Sequence, residues 1–177
     1  MTSPTPTLLG KRLVLRPGDP ADAMELHRIR TEGSVRQWWG TPDPEDVIAA
    51  ELRGESDEVL LVIEVEGEIA GSIQYLEENE PDYRHAGIDI YLSDRFRGRG
   101  LGTEAVAVLA AYLIDVRGHH RLTIDPALAN ETAIRAYERV GFRRVGIMRQ
   151  YERAPDGTLH DGLLLDLLAE ELVRFTT

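Results

Sequence analysis

The chain contains no cysteine, and this absence excludes several kinds of chemistry. It can form no disulfide bond, hold no metal through thiolates and offer no cysteine nucleophile. The adjacent pair His119 and His120 has no carboxylate or thiol at metal-ligand spacing, and neighbouring side chains diverge. We therefore predict a protein without a metal site.

Positive charge is scarce as well. The chain has 20 lysine and arginine residues against 31 aspartate and glutamate residues, which gives a net charge of −11 at pH 7. Domains that bind nucleic acid usually present a basic face, so nucleic acid is not a predicted partner. An acidic cleft attracts cations, although acidity also serves solubility. Charge alone leaves both explanations open.

Long apolar runs are missing too. No stretch approaches the ~20 residues that cross a membrane, and residues 1–9 lack the pattern of a signal peptide. We expect a cytoplasmic protein with no membrane partner, either a monomer or a homodimer. A length of 177 residues fits one domain. We predict that domain over residues 10–177, preceded by a flexible tail over residues 1–9.

Hydrophobic periodicity predicts a regular order of elements, β-α-α-β-β-β-α-β-α-β-β. That order indicates a mixed sheet with helices packed on it, in a single α/β or α+β domain. The strands are predicted at about 12–16, 58–66, 69–76, 87–92, 122–125, 142–151 and 159–168, and the helices at about 20–30, 45–52, 104–116 and 131–140.

Residues 97–103, with the sequence RGRGLGT, form a glycine-rich turn between a predicted strand and a predicted helix. Such a turn exposes backbone N–H groups at the positive end of a helix, an arrangement that suits phosphate. The pattern matches neither the P-loop, which ends in Gly-Lys-Ser/Thr, nor the dinucleotide motif Gly-x-Gly-x-x-Gly. An ordinary turn with solvated arginines remains the alternative. We call residues 97–103 the glycine loop.

Three further features suggest a cleft for a cation. Asp89 lies within an alternating strand, where aspartate is disfavoured, so it faces either solvent or a cleft. The acidic run over residues 77–82 includes Glu78, and it is either a solvated loop or a site that attracts amines. Trp38 and Trp39 are adjacent, so their side chains point in different directions. One can pack inward while the other lines a cleft; a structural anchor is the alternative.

The glycine loop and a second run together resemble the GCN5-related N-acetyltransferase (GNAT) superfamily. Arg97-x-x-Gly100-x-Gly102 resembles its pyrophosphate loop, and Asn130-x-x-Ala133-x-x-x-Tyr137-x-x-x-Gly141-Phe142 resembles its second CoA-contacting segment. The resemblance implies a mostly antiparallel central sheet, splayed between the fourth and fifth predicted strands and flanked by about four helices. It also implies acetyl-CoA as co-substrate.

The resemblance also implies how the donor would be held. Backbone N–H groups of the glycine loop would bind the pyrophosphate, and the strand end near Leu92 would border the pantetheine and the thioester. Asn130 would contact the pantetheine arm, and Tyr137 would protonate the departing thiolate, although Asn130 also suits a helix cap and Tyr137 also suits packing on the sheet. The implied donor-binding residues are Tyr91, Leu92, Arg97, Arg99, Gly100, Leu101, Gly102, Thr103, Asn130 and Ala133.

A closer resemblance, to aminoglycoside 6′-N-acetyltransferases, rests on Trp38-Trp39-Gly40, Gly87-Ile88-Asp89 and Thr123-Ile124-Asp125-Pro126. It implies a polycationic acceptor, a role in antibiotic resistance and Asp89 as base for the 6′-amine. Transfer would be direct, in a ternary complex, because there is no cysteine to form an acyl-enzyme. The implied acceptor-binding residues are Trp38, Trp39, Gln74, Glu78, Asp89 and Asp125.

Other functions are also compatible with the sequence. Residues 10–17 resemble the start of enzymes that acetylate the N-terminal alanine of ribosomal proteins. A siderophore-type acyltransferase is another candidate. A non-catalytic module that senses acyl-CoA or a cation is a third, and the intact glycine loop with Tyr137 argues against it.

Overall fold

A computed structural model describes residues 5–175. Within that part of the chain, eight strands form one sheet in the order β1-β2-β3-β4-β5-β6-β8-β7. Every neighbouring pair is antiparallel except β5 and β6. The strands are β1 (Leu8–Leu9), β2 (Val14–Pro17), β3 (Val59–Val65), β4 (Glu68–Glu78), β5 (His85–Leu92), β6 (Arg121–Ile124), β7 (Arg143–Arg153) and β8 (Leu159–Leu168).

Five α-helices cover the two faces of this sheet. They are α1 (Ala23–Thr31), α2 (Gly33–Trp39), α3 (Glu45–Leu52), α4 (Leu101–Asp115) and α5 (Glu131–Val140). The larger core lies between the sheet and helices α4 and α5, and a smaller core lies under α1, α2 and α3. The mixed, mostly antiparallel fold predicted from the sequence is confirmed. No helix of the described residues is both long enough and apolar enough to cross a membrane.

The splay of the sheet is also confirmed. Strands β5 and β6 correspond to the fourth and fifth predicted strands, and only two residue pairs join them, Ala86 with Leu122 and Gly87 with Thr123. Beyond Gly87, β5 pairs with β4 alone, up to Leu92 opposite Gly71. The β6 side of that strand end therefore borders a gap, which we call the acyl slot.

Two elements differ from the sequence prediction. Leu8–Leu9 pairs with β2 as a two-residue strand, so that part of the predicted tail is ordered, while residues 1–4 lie outside the described residues. A pair of residues is too short to show a period, and its pairing depends on the free edge of β2. The second addition is α2, whose seven residues begin with a poor helix former, Gly33.

Strand alternation assigns the candidate side chains to one face. Tyr91 belongs to the smaller core under α1, α2 and α3, whereas Ile88 belongs to the larger core on the opposite face. Asp89 is two residues from Tyr91, so it lies on the same face as Tyr91. Gln74 is directly opposite Asp89 on β4. The carboxylate on β5 is thereby on the face covered by α1, α2 and α3, of which α2 carries both tryptophans.

Candidate active site

A cleft of about 610 Å³ opens where β5 and β6 separate. It is lined by the end of β5, the glycine loop, the first turns of α5 and the C-terminal half of α2. We call it the main cleft. Of the predicted donor-binding residues it brings together nine: Tyr91, Leu92, Arg97, Gly100, Leu101, Gly102, Thr103, Asn130 and Ala133.

The glycine loop presents backbone donors to the main cleft. Gly98 has a φ of 70° and Gly100 a φ of 76°, in the left-handed region that favours glycine. Gly100 is the N-cap of α4, so the first N–H groups of that helix have no partner within it. Arg97 and Arg139 also line the cleft. Free N–H groups, a positive helix end and two guanidinium groups are the donor set that a pyrophosphate requires.

Arg99 lies elsewhere. It does not line the main cleft, and its guanidinium lies 5.8 Å from the centre of the Phe96 ring. Its carbonyl instead accepts a hydrogen bond of 2.7 Å from Arg12, whose Nε also bonds Glu104 at 2.8 Å. Arg12 therefore braces the glycine loop against the first turn of α4. The sequence pattern predicted only that Arg12 lies in a strand. Its contact with Arg99 joins residues 87 positions apart and therefore leaves no local pattern.

Tyr137 reaches the acyl slot from α5. Its side chain is only 8% exposed and lines the main cleft. Burial, with smaller contributions from Asp89 and Asp125, raises the pKa of the Tyr137 hydroxyl well above its ordinary value. Asn130 lines the same cleft and caps α5, where its side-chain oxygen accepts the Ala133 N–H at 3.3 Å. At neutral pH Tyr137 is a protonated hydroxyl, able to donate.

A second cleft of about 270 Å³ adjoins the first and shares five residues with it: Trp38, Trp39, Ile90, Asn130 and Tyr137. We call it the acidic cleft because three carboxylate residues line it: Asp89, Asp125 and Glu152. Both tryptophans border both clefts, and Trp39 also packs against the smaller core, so the expectation that one of them packs inward is met by Trp39.

Asp89 has an unusual protonation equilibrium. Its side chain is open to the cleft, yet surrounding protein atoms and the charges of Asp125 and Glu58 raise the pKa of Asp89 to about 7. Desolvation is the largest cause of the raised pKa, and the negative charge of Asp125 is the second. A carboxyl group with that pKa exchanges protons readily near neutral pH.

Two predicted acceptor residues are not part of the acidic cleft. Gln74 does not line it; its amide donates to Glu58 at 2.8 Å and so fixes that carboxylate near Asp89. Glu78 is four residues further along β4, opposite His85, and lines a separate pocket. The strand carries Glu78 away from the acyl slot, so it does not meet the other predicted acceptor residues.

Sequence analysis missed the contribution of β7. Between Met148 and Glu152 the strand bulges against β8, and Gln150 takes a left-handed φ of 52° with its N–H bonded to Asp161 at 2.7 Å. The bulge brings the Tyr151 hydroxyl within 2.5 Å of Asp125. An irregularity of this kind interrupts the alternation on which strand prediction depends.

The splayed sheet, with a phosphate-type loop at its opening, defines a CoA-dependent acyltransferase architecture. The chain belongs to the acetyltransferase (GNAT) family, whose sequence profile matches residues 23–142. It is thus an acetyl-CoA-dependent N-acetyltransferase.

Named relatives show several acceptors. Spermidine N(1)-acetyltransferase of Escherichia coli is 30% identical over 133 residues, covering 72% of this chain and 71% of that protein. Aminoglycoside N(6')-acetyltransferase type 1 of Klebsiella pneumoniae is 28% identical over 155 residues, covering 77% and 74%. The solved structure of Mycobacterium smegmatis RimJ, in complex with CoA-disulfide, matches with a TM-score of 0.84 and 26% identity over 96% of this chain and 90% of that one.

Proposed function

We propose that this enzyme acetylates a primary amine of a small polycation, with the 6′-amine of an aminoglycoside as the first candidate acceptor. The observation that carries the proposal is the meeting of Asp89 and Asp125 in a cleft that adjoins the acyl slot. Carboxylates placed there hold an ammonium group beside the reacting centre and leave room for further cationic groups. The similarity to an aminoglycoside N(6')-acetyltransferase supports the same acceptor.

The acidic cleft favours a cation over a neutral amine or an acid. Asp89, Asp125 and Glu152 line it, and Glu58 stands near enough to affect the pKa of Asp89. Like charges this close repel one another, and a polycation relieves that repulsion on binding. The net charge of −11 steers cations toward the protein over a longer range.

Proton movement follows from the two titrating groups. An ammonium must lose a proton before its nitrogen can attack, and we assign that proton to the Asp89 carboxylate, either directly or through one water molecule. Because its pKa is about 7, Asp89 is a carboxylate above that pH and an acid below it. Tyr137, protonated at neutral pH, is the group that we assign to supply a proton to the departing sulfur.

Acetyl-CoA supplies an activated acetyl thioester. For its binding we assign the pyrophosphate to the N–H groups of Leu101, Gly102 and Thr103, with charge from Arg97. The unpaired side of β5 near Leu92 is the proposed neighbour of the thioester, and Asn130 the neighbour of the pantetheine arm. Arg99 is left out of this set because it does not line the main cleft.

Spermidine is the second candidate acceptor. The relative with 30% identity is a spermidine N(1)-acetyltransferase, and spermidine is also a small polycation that suits the same carboxylates. A peptide N-terminus is the third acceptor that must be distinguished from these two, since residues 10–17 resemble the start of enzymes that acetylate the N-terminal alanine of ribosomal proteins. A peptide offers a single ammonium, which makes poor use of an acidic cleft.

The test is release of free CoA thiol with three acceptors: a kanamycin-type aminoglycoside, spermidine and a peptide with N-terminal alanine. We expect turnover with one of the two polycations and a much lower kcat/KM for the peptide. Asp89→Asn should lower kcat by about 10²- to 10⁴-fold with that acceptor, because it removes the base. Its affinity for CoA, measured by calorimetry, should be unchanged. A higher kcat/KM for the peptide would overturn the acceptor proposal, and an Asp89→Asn enzyme with normal kcat would overturn the base assignment.

A further inference from the structure

Arg30 is a buried charge that the proposed chemistry does not use. The residue, on α1, is 7% exposed, and its Nε has no hydrogen-bond partner among the described residues. A buried charge is costly unless neighbours compensate for its lost hydration. Its nearest carboxylate, Asp43, is 3.6 Å away and half exposed. This ion pair therefore compensates for only part of the cost of burying the Arg30 charge.

Aromatic rings make up much of the remaining environment. The Arg30 guanidinium lies 4.8 Å from the centre of the Trp39 ring and 5.6 Å from that of the Tyr91 ring. These two rings meet edge to face, with centroids 5.0 Å apart and planes at 75°. Both cation distances fall within the range in which ring faces attract a cation. Arg30 also donates to the Trp39 carbonyl at 3.3 Å.

The two rings occupy a position that affects both clefts. Trp39 lines the main cleft and the acidic cleft, and Tyr91 lines the main cleft on β5. Trp39 is the last residue of α2, a helix of only seven residues that ends at Gly40 with a φ of 71°. So short a helix has little stability of its own. The direction of the Trp39 ring therefore depends on its tertiary contacts.

We propose that Arg30 is a positioning residue: it holds the Trp39 ring against Tyr91 and so sets the width of the passage between the main cleft and the acidic cleft. The inference rests on the proposed function in one respect, the use of the acidic cleft by the acceptor. Without Arg30, the Trp39 ring would be free to move. The acceptor would then bind less well, while the glycine loop that faces the donor would be untouched.

A purely structural role makes a different prediction. A cation beside the last carbonyl groups of a helix stabilises its C-terminus, and Arg30 could serve α2 in that way alone. Lysine would retain that charge and could reach the same carbonyl. It could not replace the broad planar contact that a guanidinium makes beside the two rings, because its ammonium is a compact point charge. Arg30→Lys therefore separates the two roles.

The kinetic test compares Arg30→Met and Arg30→Lys with Arg53→Met, which removes an exposed arginine whose only ion-pair partner within residues 5–175 is Glu55. Both Arg30 variants should raise the acceptor KM about tenfold, which corresponds to about 1.4 kcal/mol. The KM for acetyl-CoA should rise much less, because Arg30 does not line the glycine loop that is assigned to the pyrophosphate, and Arg53→Met should change neither constant. Should Arg30→Met fail to fold, Arg30→Lys provides the same comparison. A parental acceptor KM in Arg30→Lys, or equal increases in both KM values, would overturn the proposal.

A spectroscopic test needs no acceptor at all. The chain has two tryptophans, so Trp38→Phe leaves Trp39 as the sole tryptophan reporter. In that background Arg30→Lys should increase the quenching of Trp39 fluorescence by acrylamide, measured well below the thermal midpoint of both proteins. Unchanged quenching would refute positioning by Arg30 even if the enzyme acetylates every polycation tested. Increased quenching in an enzyme that acetylates no polycation would refute the acceptor proposal alone.

A double-mutant cycle completes the design. If Arg30 acts through Trp39, then Arg30→Lys should have no further effect on the acceptor KM once Trp39 is replaced by leucine. Additive effects of the two substitutions would show that Arg30 acts by another route.

Discussion

Asp125→Asn should extend activity to lower pH, although it removes a residue of the proposed acceptor site. The pKa of Asp89 is about 7, compared with an ordinary value of 3.8, and the Asp125 charge is the second-largest cause after dehydration. As the second of three causes, Asp125 accounts for less than half of that increase. Replacing it with a neutral amide should lower the pKa of Asp89 by about one pH unit.

The direction in which the pH profile moves follows from the role of Asp89 as a base. The carboxylate form is active, so activity is present above the pKa of Asp89 and is lost as the pH falls through it. A lower pKa therefore moves the acid limb of the profile to lower pH. The quantity to measure is kcat/KM for the acceptor, because it reports groups of the free enzyme. Saturating acetyl-CoA and a range of about pH 5 to pH 9 cover the transition.

The plateau of the kcat/KM profile reports acceptor binding, whereas the pH at which its acid limb falls reports the pKa of Asp89. Asp125→Asn should lower the plateau of kcat/KM, since one ammonium contact is lost, and independently move the limb downward. Glu58→Gln should move it less, because Glu58 is the third cause of the raised pKa. Glu152→Gln is the matched control: it removes a charge from the same cleft without being a cause of the shift at Asp89. A limb that stays in place, or moves up, in Asp125→Asn would refute the electrostatic account of Asp89.

Three further outcomes are expected. Tyr137→Phe should lower kcat by about 10²-fold with little change in acceptor KM, because it removes the proposed proton donor; this is read by steady-state kinetics. Gly71→Ala should lower the free energy of unfolding by about 1–3 kcal/mol in urea, and weaken acetyl-CoA binding, because the added Cβ would stand 2.1 Å from the Tyr91 carbonyl oxygen. Glu77→Gln should lower the free energy of unfolding by about 3 kcal/mol, because Glu77 pairs with Arg117 at 2.8 Å and bonds the buried His119 at 2.7 Å.

Each of these has an outcome that contradicts it. Parental kcat in Tyr137→Phe would leave Tyr137 with a packing role only. For Gly71→Ala the control is Gly146→Ala, also in a strand but with open space around the added Cβ; equal effects of the two would exclude the close strand approach as the cause. A Glu77→Gln protein as stable as its parent would show that the ion pair merely offsets its own desolvation.

Local patterns were sufficient to predict most of the residues that meet in the main cleft. The glycine loop is a contiguous motif, and Asn130 and Tyr137 follow at fixed spacing on one helix, so short-range sequence carries their arrangement. The alternation of β5 placed Asp89 and Tyr91 on one face, as the structure has them. Each of these inferences concerns residues within one or two elements.

The acidic cleft was less predictable because it is assembled from distant segments. The Tyr151 hydroxyl reaches Asp125 only because three residues bulge from β7, and a bulge destroys the period that reveals a strand. Arg30 follows the spacing of Ala23 and Leu26 along one side of α1, but no local pattern indicates the Trp39 and Tyr91 rings that lie beside it. Glu78 shows the opposite case: the acidic run fitted either a solvated loop or an acceptor site, and the register of β4, which sequence does not reveal, places Glu78 in a separate pocket.

The separation of β5 from β6 has a consequence for how the protein unfolds. With only two residue pairs across that junction, the sheet consists of two hydrogen-bonded ladders, β1 to β5 and β6 to β8. A molecule lying in the acyl slot would contact both ladders at once and act as a removable cross-link between them. Amide hydrogen exchange in β6 should therefore slow when the slot is filled, and the whole domain should melt as a more cooperative unit.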